Sequence, residues 1–132
     1  MSDHTEPLTP ADALEQAAAV VERAWTQGEL ARDQHDVEVR PLNPRARSFC
    51  AEGALRFVCR HDEIMVANQR CGSIVSEAFL ALCDHVKALG PAVPQWANGV
   101  ADWNDRQDQS AENVAREMRA CAAKLRAEEP KP

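Results

Sequence analysis

The sequence predicts an all-α fold, a compact single-domain bundle of four to five helices with one long ordered loop at 29–43. Three observations predict it. Alanine occurs 23 times and tyrosine never in 132 residues, a composition that favours helix. β-branched residues rarely form the alternating runs of half-buried strands. Apolar residues recur at helical spacing in four long windows, most of them opened by a capping residue.

The first helix starts with Thr9 as N-cap, Pro10 at the first helical position and Asp12 at the third, a relative of the capping box. Ala13, Leu14, Ala17, Val20, Val21, Ala24 and Trp25 share one face, with Asp12, Glu15, Glu22 and Arg23 opposite. Gly28 is the expected terminator. The 29–43 loop is polar, with Val37-Glu38-Val39 briefly extended, and its length means that packing or function holds it.

Asn43-Pro44 reads as the next cap, for a helix from about 44 to 60. Ala46, Cys50, Ala51, Gly53, Ala54, Leu55, Phe57 and Val58 fill a broad apolar arc beside a polar stripe of Arg45, Ser48, Glu52 and Arg56. So apolar a helix is central, and a helical glycine, about 1 kcal/mol worse than alanine, implies close approach of another backbone at Gly53. Residues 61–72 are ambiguous, with Ile64-Met65-Val66 either helical or extended. Ser73 caps a helix to Leu89 with Ile74, Val75, Ala78, Phe79, Leu82, Val86 and Leu89 inward, ended by Gly90-Pro91. Pro94 opens a short helix carrying Trp96, Val100 and Trp103. Ser110 caps the last helix, whose stripe is Ala111, Val114, Ala115, Met118, Cys121, Ala122 and Leu125. The domain is expected over 10–127, with flexible tails at 1–9 and 128–132.

Three segments together resemble a known family: Trp25-Thr26-Gln27-Gly28 with Ala31-Arg32-Asp33, then Phe49-Cys50-Ala51-Glu52-Gly53-Ala54-Leu55, then Trp103-Asn104-Asp105 before a capped helix. The chain is similar to an uncharacterised family of small bacterial and phage-borne proteins, classed as a domain of unknown function. The stretch 60–94 lies outside the resemblance. It implies that the three segments belong to one fold and carries over no catalytic role. The phage association implies a host- or defence-modulating binding role.

Charge narrows the function classes. The net charge is −6, a poor basis for gripping phosphates over a wide surface, so nucleic acid is not expected as a direct ligand. Residues 1–38 hold nine acids and two bases, whereas 39–70 hold six bases and three acids. Arg40, Arg45, Arg47, Arg56 and Arg60 are read first as solvated charges, and otherwise as a local basic patch for an anionic ligand or acidic partner. No apolar run approaches the ~18 residues of a membrane span. The first 30 residues lack a secretory pattern. Five widely spaced cysteines form no Cys-x-x-Cys pair and suit a reducing, cytoplasmic setting.

Three constellations bear on chemistry. Cys50 falls in the first turns of its expected helix, where the macrodipole favours thiolate. His61 or His85 would serve as base, oriented by Asn104 or Asp105. Cys59-Arg60-His61 and Cys83-Asp84-His85 repeat a Cys-x-His pattern with Cys71 between them. Ligands two apart on a helix diverge by roughly 200°, however, and no metal is expected. Cys59 is expected to be the most accessible thiol and His85 to lie at the edge of a core face. Asp102, Asn104, Asp105 and Asp108 lack the glycine and closing glutamate of a calcium loop. They read as a connection whose side chains bond backbone amides, or which pins the 29–43 loop through Arg32 or Arg40.

These readings add up to a protein that binds a protein partner without cofactor, metal or catalysis, oligomeric state left open. Its expected surface combines the 29–43 loop with Arg40, Arg45 and Arg47 and the Trp103, Asn104 and Asp105 turn; the three tryptophans are otherwise read first as core. The alternatives are a small cysteine hydrolase or transferase using Cys50 and His61 with Asn104 and Asp105, and an acidic nucleic-acid mimic built on the N-terminal carboxylates.

Overall fold

Thr9 opens the fold as expected. Its Oγ1 accepts the Asp12 N–H (3.1 Å) at the start of α1, Pro10–Arg23. Pro7 is buried beside it. The computed structural model describes residue 7 and residues 9–61, 70–89 and 99–128. Helix α1 buries Ala11, Ala13, Leu14, Ala17, Ala18, Val20 and Val21. Small residues on so many sides let several helices approach its axis closely.

Gly28 does not end α1. The helix stops at Arg23 because the next backbone groups pair elsewhere: Phe49 N–H donates to Ala24 O (2.7 Å) and Thr26 N–H to Phe49 O (3.0 Å). Gly28 instead sits in the following turn at φ +88°, a left-handed value that suits glycine. Strand β1, Ala31–Arg32, then pairs antiparallel with β2, Ser48–Phe49. On its other side Ala31 O accepts Val39 N–H (3.1 Å), and Arg32 bridges Glu38. Val37-Glu38-Val39 is thus extended, as read from the sequence.

The helix expected from 44 begins only at Ala51. Asn43 folds a turn, with Oδ1 accepting Arg45 N–H (2.8 Å) and O accepting Ala46 N–H (2.9 Å). Residues 47–50 are then drawn into pairing, with Arg47 N–H on Arg32 O (2.7 Å) and Cys50 N–H on Leu30 O (3.2 Å). Helix α2, Ala51–Cys59, is capped by Cys50 and closed by Arg60 in the left-handed region at φ 57°. Gly53 is where the backbones meet: a Cβ there would lie 1.9 Å from Leu30 O. The expected close approach is real, and its partner is the ordered loop.

Helix α3, Arg70–Ala88, starts before Ser73, so that residue lies within the helix rather than capping it. Ile74, Val75, Ala78, Leu82 and Val86 are buried, whereas Leu89, expected inward, follows the helix end and is 49% exposed. Ile64-Met65-Val66, the Cys71 side chain, Gly90-Pro91, Pro94 and Trp96 lie outside the described residues. Helix α4 spans Gly99–Asn104. Ser110 Oγ accepts Asn113 N–H (3.1 Å) to cap α5, Ala111–Glu128, as expected.

The fold is therefore all-α with five helices among the described residues and one two-stranded patch. Helix α1 packs most extensively on α5 and next on α2, while α3 touches both α1 and α2. Trp103, Leu14, Leu55, Leu82 and Met118 are the largest fully buried side chains. The acids on the outer side of α1 meet α5: Glu22 pairs with Arg119 (2.7 Å), and Arg126 spans Asp12 (3.0 Å) and Glu15 (3.1 Å). Among the described residues no helix is long and apolar enough to cross a membrane.

Candidate binding face

Asn104 organises this end of the molecule. Its side chain is fully buried at the end of α4. Oδ1 accepts the Trp25 indole N–H (2.9 Å) and Ala51 N–H (3.0 Å), while Nδ2 donates to Thr26 O (3.1 Å) and Asp105 Oδ1 (2.9 Å). All four hydrogen-bonding positions of the amide are filled. Gln27 Nε2 adds bonds to Asn104 O (3.0 Å) and Arg106 O (2.9 Å), and Asp105 Oδ1 accepts Gly28 N–H (2.9 Å). The Trp103-Asn104-Asp105 segment does bond backbone amides, but on 25–28 and 51. Arg32 bonds Thr26, Gln27 and Asp36 instead of this segment. The two motif segments around Trp25 and Ala51 thus meet on the third.

Arg32 carries the order outward. Its guanidinium bonds Thr26 Oγ1 (3.1 Å), Gln27 O (3.0 Å) and Asp36 O (3.0 Å). At the tip, Asp33 Oδ1 accepts His35 N–H (2.8 Å) and Val37 N–H (3.0 Å). Those two amide bonds hold the Asp33 carboxyl below its usual range. The loop between β1 and β2 is accordingly built from specific bonds, and its long polar sequence is read correctly as ordered.

On this frame Arg40, Arg45 and Arg47 are exposed. Arg45 and Arg47 line one recess of about 280 Å³ together with Asp33, Gln34 and His35. Arg40 is not part of that lining. Trp103 and Asn104, included in the expected binding surface, are 1% and 0% exposed, which for Trp103 is the core position. They hold the face from behind and do not form it. Asp105 is exposed and lines a different recess, beside Cys50. The wider basic patch also divides, since Arg56 pairs with Glu52 within α2 and Arg60 sits at that helix's C-terminal end. Asp33, Gln34 and His35 belong to the 29–43 loop included in the expected surface, but the sequence singles none of them out as a site residue. The signal was faint: an aspartate two positions before a turn residue, as in an Asx-turn.

The cysteine constellation is only half assembled. Cys50 shares a smaller recess of about 180 Å³ with Glu52, Asp105, Gly28, Glu29, Leu30 and Ala101. Its Sγ accepts Gly53 N–H (3.3 Å) as the N-cap of α2. Burial pushes the thiol up to about 11, outweighing the help of that amide. Carboxylates nearby act in the same direction as burial. His61 lies beyond the other end of α2, roughly 15 Å away along the helix rise. The base and the thiol are thus not brought together.

His85, expected at the edge of a core face, is buried on α3, with Nε2 2.9 Å from Glu117 Oε1 and Nδ1 without a hydrogen-bond partner among the described residues. Cys59, expected to be the accessible thiol, is fully buried. Helix α2 is sandwiched by α1 and α3, so its polar stripe is narrower than the wheel suggests. Among the described residues no group of three His, Cys, Asp or Glu is disposed to hold a metal ion. Asp108 of the acidic cluster pairs with Arg106 (3.0 Å). Of the N-terminal carboxylates, Asp12, Glu15 and Glu22 are engaged with α5 arginines.

No curated protein and no solved structure matches the chain. A family model described only as a family of unknown function matches residues 5–124, running through the 60–94 stretch that the short motifs leave out. With the three motif segments meeting on Asn104 and the match extending over nearly all the helices, the chain belongs to the family of unknown function DUF6197.

Proposed function

We propose that the protein is a non-enzymatic binding module that engages a protein partner through the exposed 33–47 face, with Arg45 and Arg47 at its centre. One observation carries this reading: two exposed arginines stand on a loop already fixed by Asp33, Arg32 and the Asn104 network. A fixed loop loses little conformational entropy on binding, so its contacts convert into affinity. The separation of Cys50 from His61 favours binding over the cysteine-enzyme alternative. Cys50, Cys59, Cys83 and Cys121 are all free thiols, which supports a reducing, cytoplasmic setting. The motif resemblance supports the finer reading, a phage- or mobile-element-borne protein acting on a host or defence component.

The test is affinity capture from a cell lysate with the wild type and the Arg45→Glu/Arg47→Glu double variant, partners identified by mass spectrometry. The double variant keeps the far-ultraviolet circular dichroism of the wild type and loses the partner. Equal capture by both proteins overturns the placement.

A further inference from the structure

We infer that the recess between the 33–35 turn and the 45–47 turn is an anchor pocket for a carboxylate carried by an acidic segment of the protein partner. The inference rests on the binding reading above and adds the chemistry of what the face recognises. Arg47 provides the geometry. Its Nη1 donates to Pro44 O and Ala46 O, both at 3.1 Å. Guanidinium has five N–H donors in a fixed fork, so this tether holds the plane in place and leaves the Nε and Nη2 edge, the one that matches a carboxylate bidentately. The Arg45 guanidinium makes no hydrogen bond among the described residues, although its backbone N–H is fixed on Asn43.

The remaining wall agrees in chemistry. Gln34 Nε2 lies 3.3 Å from His35 Nε2, so the two polar side chains meet on the wall of the recess. Asp33 is the single carboxylate of the lining, and its Oδ1 is engaged by two backbone amides. Two guanidinium groups against one carboxylate leave the recess net positive on a chain of net charge −6. A long polyanion is repelled by that surrounding charge, whereas a short acidic segment reaches the recess alone. The lining among the described residues is polar throughout, and the free edge of a guanidinium fork matches a planar carboxylate. Charge complementarity and the fork therefore select a peptide carboxylate.

The experiment uses the full chain and a fluorescent, end-blocked pentaglutamate peptide, followed by anisotropy at low salt. Saturable binding is expected, weakened about tenfold or more by Arg45→Ala and by Arg47→Ala, the range for losing a charge-assisted bond. Arg47→Lys keeps the charge but not the fork and falls with Arg47→Ala. Arg60→Ala, at the far end of α2, stays within about twofold. A pentaglutamine peptide does not bind, and inorganic phosphate competes only weakly.

Absence of saturable binding overturns the inference. So does a loss in Arg60→Ala as large as in Arg47→Ala, or displacement by phosphate at equal concentration, which would make it a phosphoryl site. Arg45→Ala, which breaks no hydrogen bond in the loop, separates lost recognition from a loosened turn. If the double glutamate variant loses its partner in the capture assay while pentaglutamate fails to bind, the pocket assignment falls and the binding face stands. If pentaglutamate binds and capture is unchanged, the pocket stands and the binding-face assignment falls.

Discussion

Replacing Asn104 with alanine leaves the Trp25 indole N–H and the Ala51 amide without their acceptor in a site closed to solvent. Each stranded donor costs about 1–3 kcal/mol, so Asn104→Ala is expected to lose roughly 2–5 kcal/mol, read as a lower urea midpoint. Cys50 predicts an alkaline effect. An unfolded thiol titrates near 9, whereas burial holds Cys50 protonated to about 11. Its contribution to stability is complete below pH 9 and is lost as pH rises from 9 to 11. Thermal unfolding at pH 8 to 11 should show that loss, smaller in Cys50→Ser, which keeps an N-cap acceptor. It does not vanish, because burial also pushes Cys121 up to about 11. Iodoacetamide should label Cys50 slowly at pH 8, and fast labelling would restore the nucleophile reading.

At the level of elements, what the sequence discloses depends on how local the determinants are. Thr9 and Ser110 cap helices within three residues of themselves, and both were legible. The start of α2 was not. Residues 46–50 carry apolar spacing that suits helix, yet they extend because Ala24, Thr26, Leu30 and Arg32 supply backbone partners 15–25 positions away. No window of the sequence contains that competition. The same non-locality hid the recess, whose two walls come from separate turns. Gly53 was the exception, since a glycine inside an apolar helix announces a neighbour without naming it. Gly53→Ala drives its methyl into the Leu30 carbonyl, and backbone has little room to retreat. The variant should lose about 3 kcal/mol or more, together with slow amide exchange at Cys50. Wild-type protection at Cys50 in that variant would refute the contact.

Across the whole molecule, the seam between α1 and α5 combines apolar burial with three surface ion pairs, and the two contribute unequally. Arg126 is 44% exposed, so Arg126→Ala should cost less than about 1 kcal/mol, with the difference from wild type narrowing in 1 M salt. A cost well above that would mean the pairs and not the alanine-lined core fix the helices together. The apolar stripes of both helices were readable in sequence, but their partnership was not, because periodicity marks a buried face without saying which face it meets. That partnership has a consequence during synthesis. The first helix has its most extensive surface matched to the last, and the Asn104 bonds likewise join positions 53–79 residues apart. At about 5–20 residues per second, synthesis of α1 is finished roughly 4–18 s before synthesis of α5 begins. For that interval the part of its alanine and valine face that meets α5 has no native cover, although α2 and α3 can already pack on the rest. The contacts that join the first helix to the last can form only once α5 has been made.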